Sequence, residues 1–233
     1  MARVALVTGA GRGIGAELCR LLLEEGDTVV ACPRSGGSEI LAGLAAAHPG
    51  RLHVIPMDVS DESSVLSAAR EIAPVVDRID LLFNNAGLYH KDEGTLGDLR
   101  PDKLGSAFAV NAVGPLLIVR SLLPLLRKGR DKRLAQLTSL MGSVEDNTSG
   151  GSYGYRMSKA ALNMAVRNLA HELAPEGFLC FAIHPGWVQT RMGGGGAPLK
   201  LGPASAEVLR IALEATAAEN GAFLGPGGKR LPY

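Results

Sequence analysis

The chain has 233 residues, 46% of them apolar and 20% charged, a length that suits one well-packed α/β domain spanning residues 1–233 and is short for two. Its 24 basic and 23 acidic side chains leave a formal charge of +1, which supplies no electrostatic footprint for nucleic acid or an anionic membrane. With only 4% aromatics beside 30 glycines, the composition points to tight turns and close backbone approaches rather than an aromatic recognition surface.

The first residues lead straight into an apolar run at 4–7, leaving too little sequence for a signal-peptide core, so a cytoplasmic protein is expected. That run predicts a strand. It is followed by Thr8-Gly9-Ala10-Gly11-Arg12-Gly13-Ile14-Gly15 and a helical pattern in Ile14, Leu18, Leu21 and Leu22. Glycines permit a tight turn and close approach to a pyrophosphate, and a helix N-terminus offers free N–H groups and a positive dipole end. The spacing Gly9-x-x-x-Gly13-x-Gly15 is a variant of the dinucleotide-binding fingerprint. A second strand, 28–32, runs into Pro33-Arg34 with no carboxylate where a ribose-binding Asp or Glu is expected. Arg34 and Arg12 are instead suited to a 2′-phosphate, which favours NADP(H) over NAD(H).

A third strand, 52–57, precedes Asp58-Val59, where Asp58 is expected either to meet a ligand or to cap a turn. Ser60 is the expected N-cap of a helix carrying Val65, Ala68, Ala69 and Ile72. The fourth strand, 79–83, ends in Asn84-Asn85-Ala86-Gly87, and the fifth, 134–138, ends at Ser139. Between them, Phe108, Val110, Leu116, Leu117, Val119, Leu122 and Leu123 are more apolar than one sheet-facing stripe requires, which fits either a deep core or a face for a partner subunit. A sixth strand is expected at 179–184 and a weak seventh at 222–224. Two glycine-, serine- or proline-rich stretches, 141–154 and 187–203, read as long loops, the second a closing lid or a loose connector. Trp187, at its start, is expected to pack beside the sixth strand or to touch substrate.

Apolar strands alternating with helices predict a doubly wound parallel sheet covered on both faces, with ligands at the strand ends of its switch point. Within Tyr155-Arg156-Met157-Ser158-Lys159, Tyr155 and Lys159 fall on one face of a helix. A phenol of ordinary pKa is about 10 and transfers protons poorly at neutrality. A cation roughly 4 Å away, at an effective dielectric of about 20, contributes on the order of 4 kcal/mol and would lower that value by about 3. Tyr153 is out of phase with Lys159. The isolated Cys19, Cys32 and Cys180 read as small buried thiols in a reducing compartment, and the scattered His48, His53, His90, His171 and His184 as surface or capping groups, so no metal site is expected.

Taken together, residues 8–15, 84–87, Asn111, Ser139 and the Tyr155/Lys159 pair resemble the short-chain dehydrogenase/reductase family across nearly the whole chain. The resemblance implies a single Rossmann-like domain with seven parallel strands. It assigns Tyr155 as general acid/base, Lys159 as its pKa-lowering partner and nicotinamide-ribose ligand, Ser139 as carbonyl-oxygen orienter and Asn111 as part of a water-linked proton relay. It also implies cofactor contacts at Gly9, Arg12, Gly13, Ile14, Gly15, Arg34, Asp58, Val59, Asn85, Ala86 and Gly87, and at Pro185, Gly186, Val188 and Thr190.

The stretch from Ser139 to Asn163 is similar to the C-factor/sniffer-like carbonyl reductases, with a Ser139 to Tyr155 interval longer than the wider family's. Within it, Ser143 either lines the pocket or bonds the backbone. The activity so implied is hydride transfer between a nicotinamide and a small carbonyl or alcohol substrate, in a homodimer or homotetramer of the kind family members form through the long connecting helices. The subgroup's link to developmental signalling keeps a dinucleotide-binding regulator with little turnover as the alternative.

Overall fold

The structure is a computed structural model and describes residues 2–92 and 94–233. Apolar runs and amphipathic helices alternate as β1 (Val4–Thr8), α1 (Gly13–Glu24), β2 (Thr28–Cys32), α2 (Glu39–Ala47), β3 (Leu52–Val54), α3 (Glu62–Ile72) and β4 (Leu81–Asn84). There follow α4 (Pro101–Phe108), a π-helical turn (Ala109–Val113), α5 (Gly114–Arg127), β5 (Arg133–Leu137), α6 (Tyr153–Leu173), β6 (Leu179–Ile183), α7 (Leu201–Glu214) and β7 (Phe223–Leu224). The described strands form one sheet in the order β3-β2-β1-β4-β5-β6-β7, and every adjacent pair is parallel. The order reverses direction between β1 and β4, which makes their carboxyl ends the switch point.

Side-chain alternation sorts the core into two layers. Leu6, Val30, Leu82, Leu134 and Cys180 pack with Val65 and Ile72 of α3, Ile118 and Leu122 of α5 and Leu169 of α6. Ala5, Val7, Val29, Leu81, Phe83, Ala135 and Phe181 turn the other way, onto Leu18 and Leu22 of α1 and Val208 and Leu209 of α7. The helical run Pro101–Arg127 is long and apolar enough to cross a membrane by composition, but Ile118, Val119, Leu122 and Leu126 are buried against the sheet. Of the apolar residues in this connection, Val113 (48% exposed) and Leu116 (41%) face outward, so most of its surplus is core.

Several boundaries differ from expectation. β3 stops at Val54: Ile55 and Met57 still donate to Ala31 and Pro33, but Pro33, on the β2 side, has no N–H to give back. β4 begins two residues late, at Leu81. The N-cap of α3 is Asp61, not Ser60, since both the N–H and the hydroxyl of Ser60 are given to Asp58 Oδ1 (2.9 and 2.6 Å). Pro203 lies within α7 rather than in the loop before it.

At the amino edge of the sheet, Asp80 is 1% exposed and accepts from the Val4 N–H (2.8 Å), the Arg130 N–H (2.7 Å) and the Arg78 guanidinium (3.0 Å). Its loss takes the partner from two backbone donors, each a penalty of about 1–3 kcal/mol, and leaves the Arg78 guanidinium only Asp77 and Ala2 O. Asp80→Ala is therefore expected to lose about 3–5 kcal/mol of stability. Urea unfolding measures this, and an unchanged midpoint would show the carboxylate to be dispensable.

Candidate active site

Because the sheet is wholly parallel, Thr8, Cys32, Asn84, Leu137 and Ile183 all end at the same edge, and the sequence-predicted residues follow them. The first is the glycine turn between β1 and α1. A Cβ on Gly15 would stand 2.5 Å from Gly9 O and 2.5 Å from Asn85 Nδ2, so only glycine lets α1 start this close to β4. Asn85 closes that seam by donating to Thr8 O (2.8 Å) and Gly9 O (3.3 Å), while Thr8 Oγ1 accepts from the Asn85 and Ala86 N–H groups (3.1 Å each). The amide of Asn85 thus holds the turn in shape. Arg12 is the N-cap of α1, contributes no side-chain capping bond, and no acidic residue occupies the first turn. An open N-terminus of this kind suits a pyrophosphate.

Arg34, exposed beyond β2, lies close enough to Asp58 to help hold its carboxyl below the ordinary range, after the larger effect of its hydrogen bonds from Ser60. Asp58 therefore caps a turn and stands beside the guanidinium; Val59 next to it is buried. On the other flank, Thr190 meets the phosphate turn, its Cγ2 3.7 Å from where a Gly13 Cβ would be. The loop that carries Thr190 is tied down. Gln189 N–H donates to Leu199 O and Leu199 N–H to Trp187 O, Gly193 N–H donates to Thr190 Oγ1 (3.0 Å), and Trp187 Nε1 donates to Gly193 O (2.8 Å). Trp187 remains 58% exposed, so it is not buried beside β6. Its indole is spent on staple geometry, which leaves the ring face open.

The second group of sequence-predicted residues gathers where the end of β5 meets α6. Ser139, at the end of β5, opens a 3-10 turn (Leu140–Gly142) by accepting from Met141 N–H at 3.2 Å, and its hydroxyl is near enough to the Tyr155 phenol to favour the ionised form. Gly142 lets that turn touch α6, since a Cβ there would come 2.7 Å from Lys159 Cβ. Lys159 is 3% exposed and donates to Leu137 O at 2.8 Å, with its Nζ 5.9 Å from the centre of the Tyr155 ring. A Cβ on Gly87 would lie 3.8 Å from that Nζ, 3.6 Å from Asn111 Oδ1 and 3.8 Å from Met192 Cε, which puts all four residues around one space.

The electrostatics invert the expectation drawn from helical spacing. Burial pushes the Tyr155 phenol up to about 12, opposed by the Ser139 hydroxyl and assisted by Tyr89, while burial brings Lys159 down to about 8. Desolvation leads for both groups, and the ammonium is turned toward Leu137 O rather than given to the phenol. His184, at the end of β6, is likewise not a surface or capping group. Burial lowers it to about 4, with Asp146 pulling the other way. Ser143 is 2% exposed and accepts from Asp146 N–H (3.0 Å), which resolves its two readings in favour of the backbone.

Asn111 lies in the π-helical turn and is fully buried. Its side chain accepts from Leu88 N–H (2.8 Å) and donates to Leu88 O (2.8 Å) and Ser158 Oγ (2.9 Å), while Ser158 donates to Tyr155 O (2.9 Å). Every polar atom of the carboxamide is thus occupied by structure. Ser158, Tyr89 and Arg156 were missed in the sequence. Ser158 was within reach, standing three residues after Tyr155 and hence on its face of the helix. Arg156 holds the long loop to α6 through Gly150 O (3.0 Å), Met141 O (3.3 Å) and Ser149 Oγ (2.8 Å), contacts that no local pattern announces.

Comparison with known proteins agrees with this geometry. Residues 3–196 match the family model described as short chain dehydrogenase. The "C-signal" protein of Myxococcus xanthus is 44% identical over 158 residues, covering 66% of this chain and 93% of that protein. An NADPH-bound carbonyl reductase from chicken fatty liver superposes with a TM-score of 0.93 at 30% identity, over 100% of this chain and 99% of that one. The carbonyl reductase Sniffer of D. melanogaster gives 0.93 at 29% identity, with 100% of both chains covered.

Proposed function

The chain belongs to the short-chain dehydrogenase/reductase family, and from that premise we propose that it is an NADP(H)-dependent carbonyl reductase acting on a small aldehyde or ketone. The observation that carries this reading is the meeting of Ser139, Tyr155 and Lys159 beside the glycine turn at the switch point. The cofactor would be held by Gly9, Arg12, Gly13, Ile14 and Gly15 at the α1 N-terminus, by Arg34, Asp58 and Val59 beyond β2 and β3, and by Asn85, Ala86, Gly87, Pro185, Gly186, Val188, Thr190 and Lys159 toward the reacting end. When bound, NADPH supplies the hydride that reduces a carbonyl carbon.

The chain's own residues handle the proton. Tyr155, kept protonated by burial, donates to the carbonyl oxygen as negative charge develops on it, and the Ser139 hydroxyl hydrogen-bonds the same oxygen. Lys159 makes the phenol a stronger acid by favouring its anion. Asn111 serves by position, since its carboxamide is taken up by Leu88 and Ser158. In alcohol oxidation the proton runs back to Tyr155.

Monitoring NADPH and NADH consumption against a panel of aldehydes, ketones and quinones tests cofactor, activity and substrate class together. NADPH is expected to be the faster cofactor. Arg34→Ala is expected to raise the NADPH KM by about tenfold or more, the loss of one charge-assisted phosphate contact, without affecting NADH. Faster turnover with NADH would overturn the preference. A second reading has its own support in the 44% identity to C-signal: a dinucleotide-binding signalling protein with little turnover. NADPH binding without turnover across the panel would favour it.

A further inference from the structure

Tyr89 has no role in the family motifs quoted above, yet its ring lies against the proposed proton donor. The ring centres of Tyr89 and Tyr155 are 4.7 Å apart and tilted by 39°. At the far end of the same ring, the Tyr89 hydroxyl and Ser152 Oγ are hydrogen-bonded at 3.0 Å. Ser152 immediately precedes α6 and adopts a left-handed backbone, φ 47 and ψ 45, which costs a non-glycine residue roughly 1 kcal/mol or more. An N-cap serine ordinarily turns its oxygen onto the first helical N–H groups. Here it makes no such bond, and its oxygen meets Tyr89 instead.

The near end of Tyr89 is held just as firmly. Leu88, one residue before it, has its N–H and C=O both clamped by Asn111 (2.8 Å each), and Asn111 passes through Ser158 to the backbone of Tyr155. The contacts close a circuit: Tyr155 to Tyr89 by ring packing, Tyr89 through Leu88 to Asn111, then Ser158 and back to Tyr155. A surface tyrosine would need none of this.

We infer that Tyr89 is a positioning residue for the reaction, holding the Tyr155 ring at one angle and keeping water off one of its faces. The inference rests on Tyr155 being the proton donor, as in the proposed function. Groups that bear on the Tyr155 phenol are Ser139 from the end of β5, Lys159 from the next turn of α6, and Tyr89 from the loop after β4. Removing the Tyr89 ring admits water to a phenol that burial had made hard to ionise, so its titration moves to lower pH. Removing only the hydroxyl cuts the Ser152 tether and leaves the ring in place.

Tyr89→Phe and Tyr89→Leu separate the two contributions. Tyr89→Phe is expected to stay within about threefold of the parent kcat. Tyr89→Leu is expected to lose about tenfold or more in kcat while its NADPH Kd, measured by fluorescence titration, is unchanged; that binding also certifies the fold. Tyrosinate absorbance of Tyr89→Leu, differenced against Tyr89→Leu/Tyr155→Phe, isolates the Tyr155 titration, which should lie below that of the parent protein differenced against Tyr155→Phe. A Tyr155 titration that does not move in Tyr89→Leu overturns the inference. So does a Tyr89→Phe variant as slow as Tyr89→Leu. The absorbance measurement needs no turnover, so a parent protein inactive on every carbonyl refutes the proposed activity without deciding the role of Tyr89.

Discussion

Tyr155→Phe is expected to lower kcat for carbonyl reduction by roughly 10²–10⁴-fold, the span that a positioned general acid contributes, while NADPH still binds. The substitution removes one oxygen and little else. The ring keeps its packing against Tyr89 at 4.7 Å, and α6 keeps its bond from Ser158 to the backbone of residue 155. Lys159 already donates to Leu137 O at 2.8 Å, so the loss strands no buried cation that had depended on the phenol. The residual rate should come from Ser139, which alone can still hydrogen-bond the carbonyl oxygen. Undiminished steady-state turnover would remove Tyr155 from the chemistry, and loss of NADPH affinity in parallel with kcat would recast it as a binding group.

The parts of this site that were legible in the chain are those governed by local constraint. The glycine turn could be read because a Cβ at Gly15 would stand 2.5 Å from Gly9 O, which leaves room for no other residue there. The strands could be read because two-sided burial demands continuous apolar runs; β3 ends earlier than its apolar run because its neighbour β2 gives way to Pro33, which has no N–H for the ladder. Trp187 is expected from the sequence to pack beside the sixth strand or to touch substrate; its N–H donates to Gly193 O six residues on, and the ring stays at the surface. Tyr89 and Ser152 are 63 residues apart and meet only because two loops cross, so neither carries a signal. The direction of the Tyr155 shift was hidden for a related reason. Spacing along a helix gives a Coulomb attraction, but desolvation depends on everything packed around the pair, and here it decides the sign for Tyr155.

Lys159→Met separates the lysine's two opposing effects, and both should be measurable. The ammonium lies 5.9 Å from the centre of the Tyr155 ring, so its charge favours the tyrosinate and its loss leaves the phenol a weaker acid. Losing it is expected to cost on the order of 10²-fold in kcat/KM for NADPH, a parameter that reports groups of the free enzyme. The charge exists only below the lysine's own pKa, which burial lowers to about 8. In the parent protein kcat/KM should therefore hold at neutrality and fall as pH rises through about 8, whereas Lys159→Met should be slow and flat across the same interval. An alkaline fall that survives in Lys159→Met would assign it to another group. Stability should move the opposite way. A folded-state pKa below the ordinary lysine value of 10.5 means that the folded protein binds the proton less tightly than the unfolded chain, so the penalty is fully present below about pH 8 and fades between there and 10.5. That gap corresponds to a cost on the order of 3 kcal/mol at neutral pH, partly offset by the bond to Leu137 O that methionine cannot make. Lys159→Met is accordingly expected to unfold at a higher urea concentration than the parent at pH 7, with the difference shrinking toward pH 10. A buried ammonium that costs the fold and serves the phenol is what a proton-transfer site requires, and a Lys159→Met protein that is both slower and less stable would show that the lysine is there for structure.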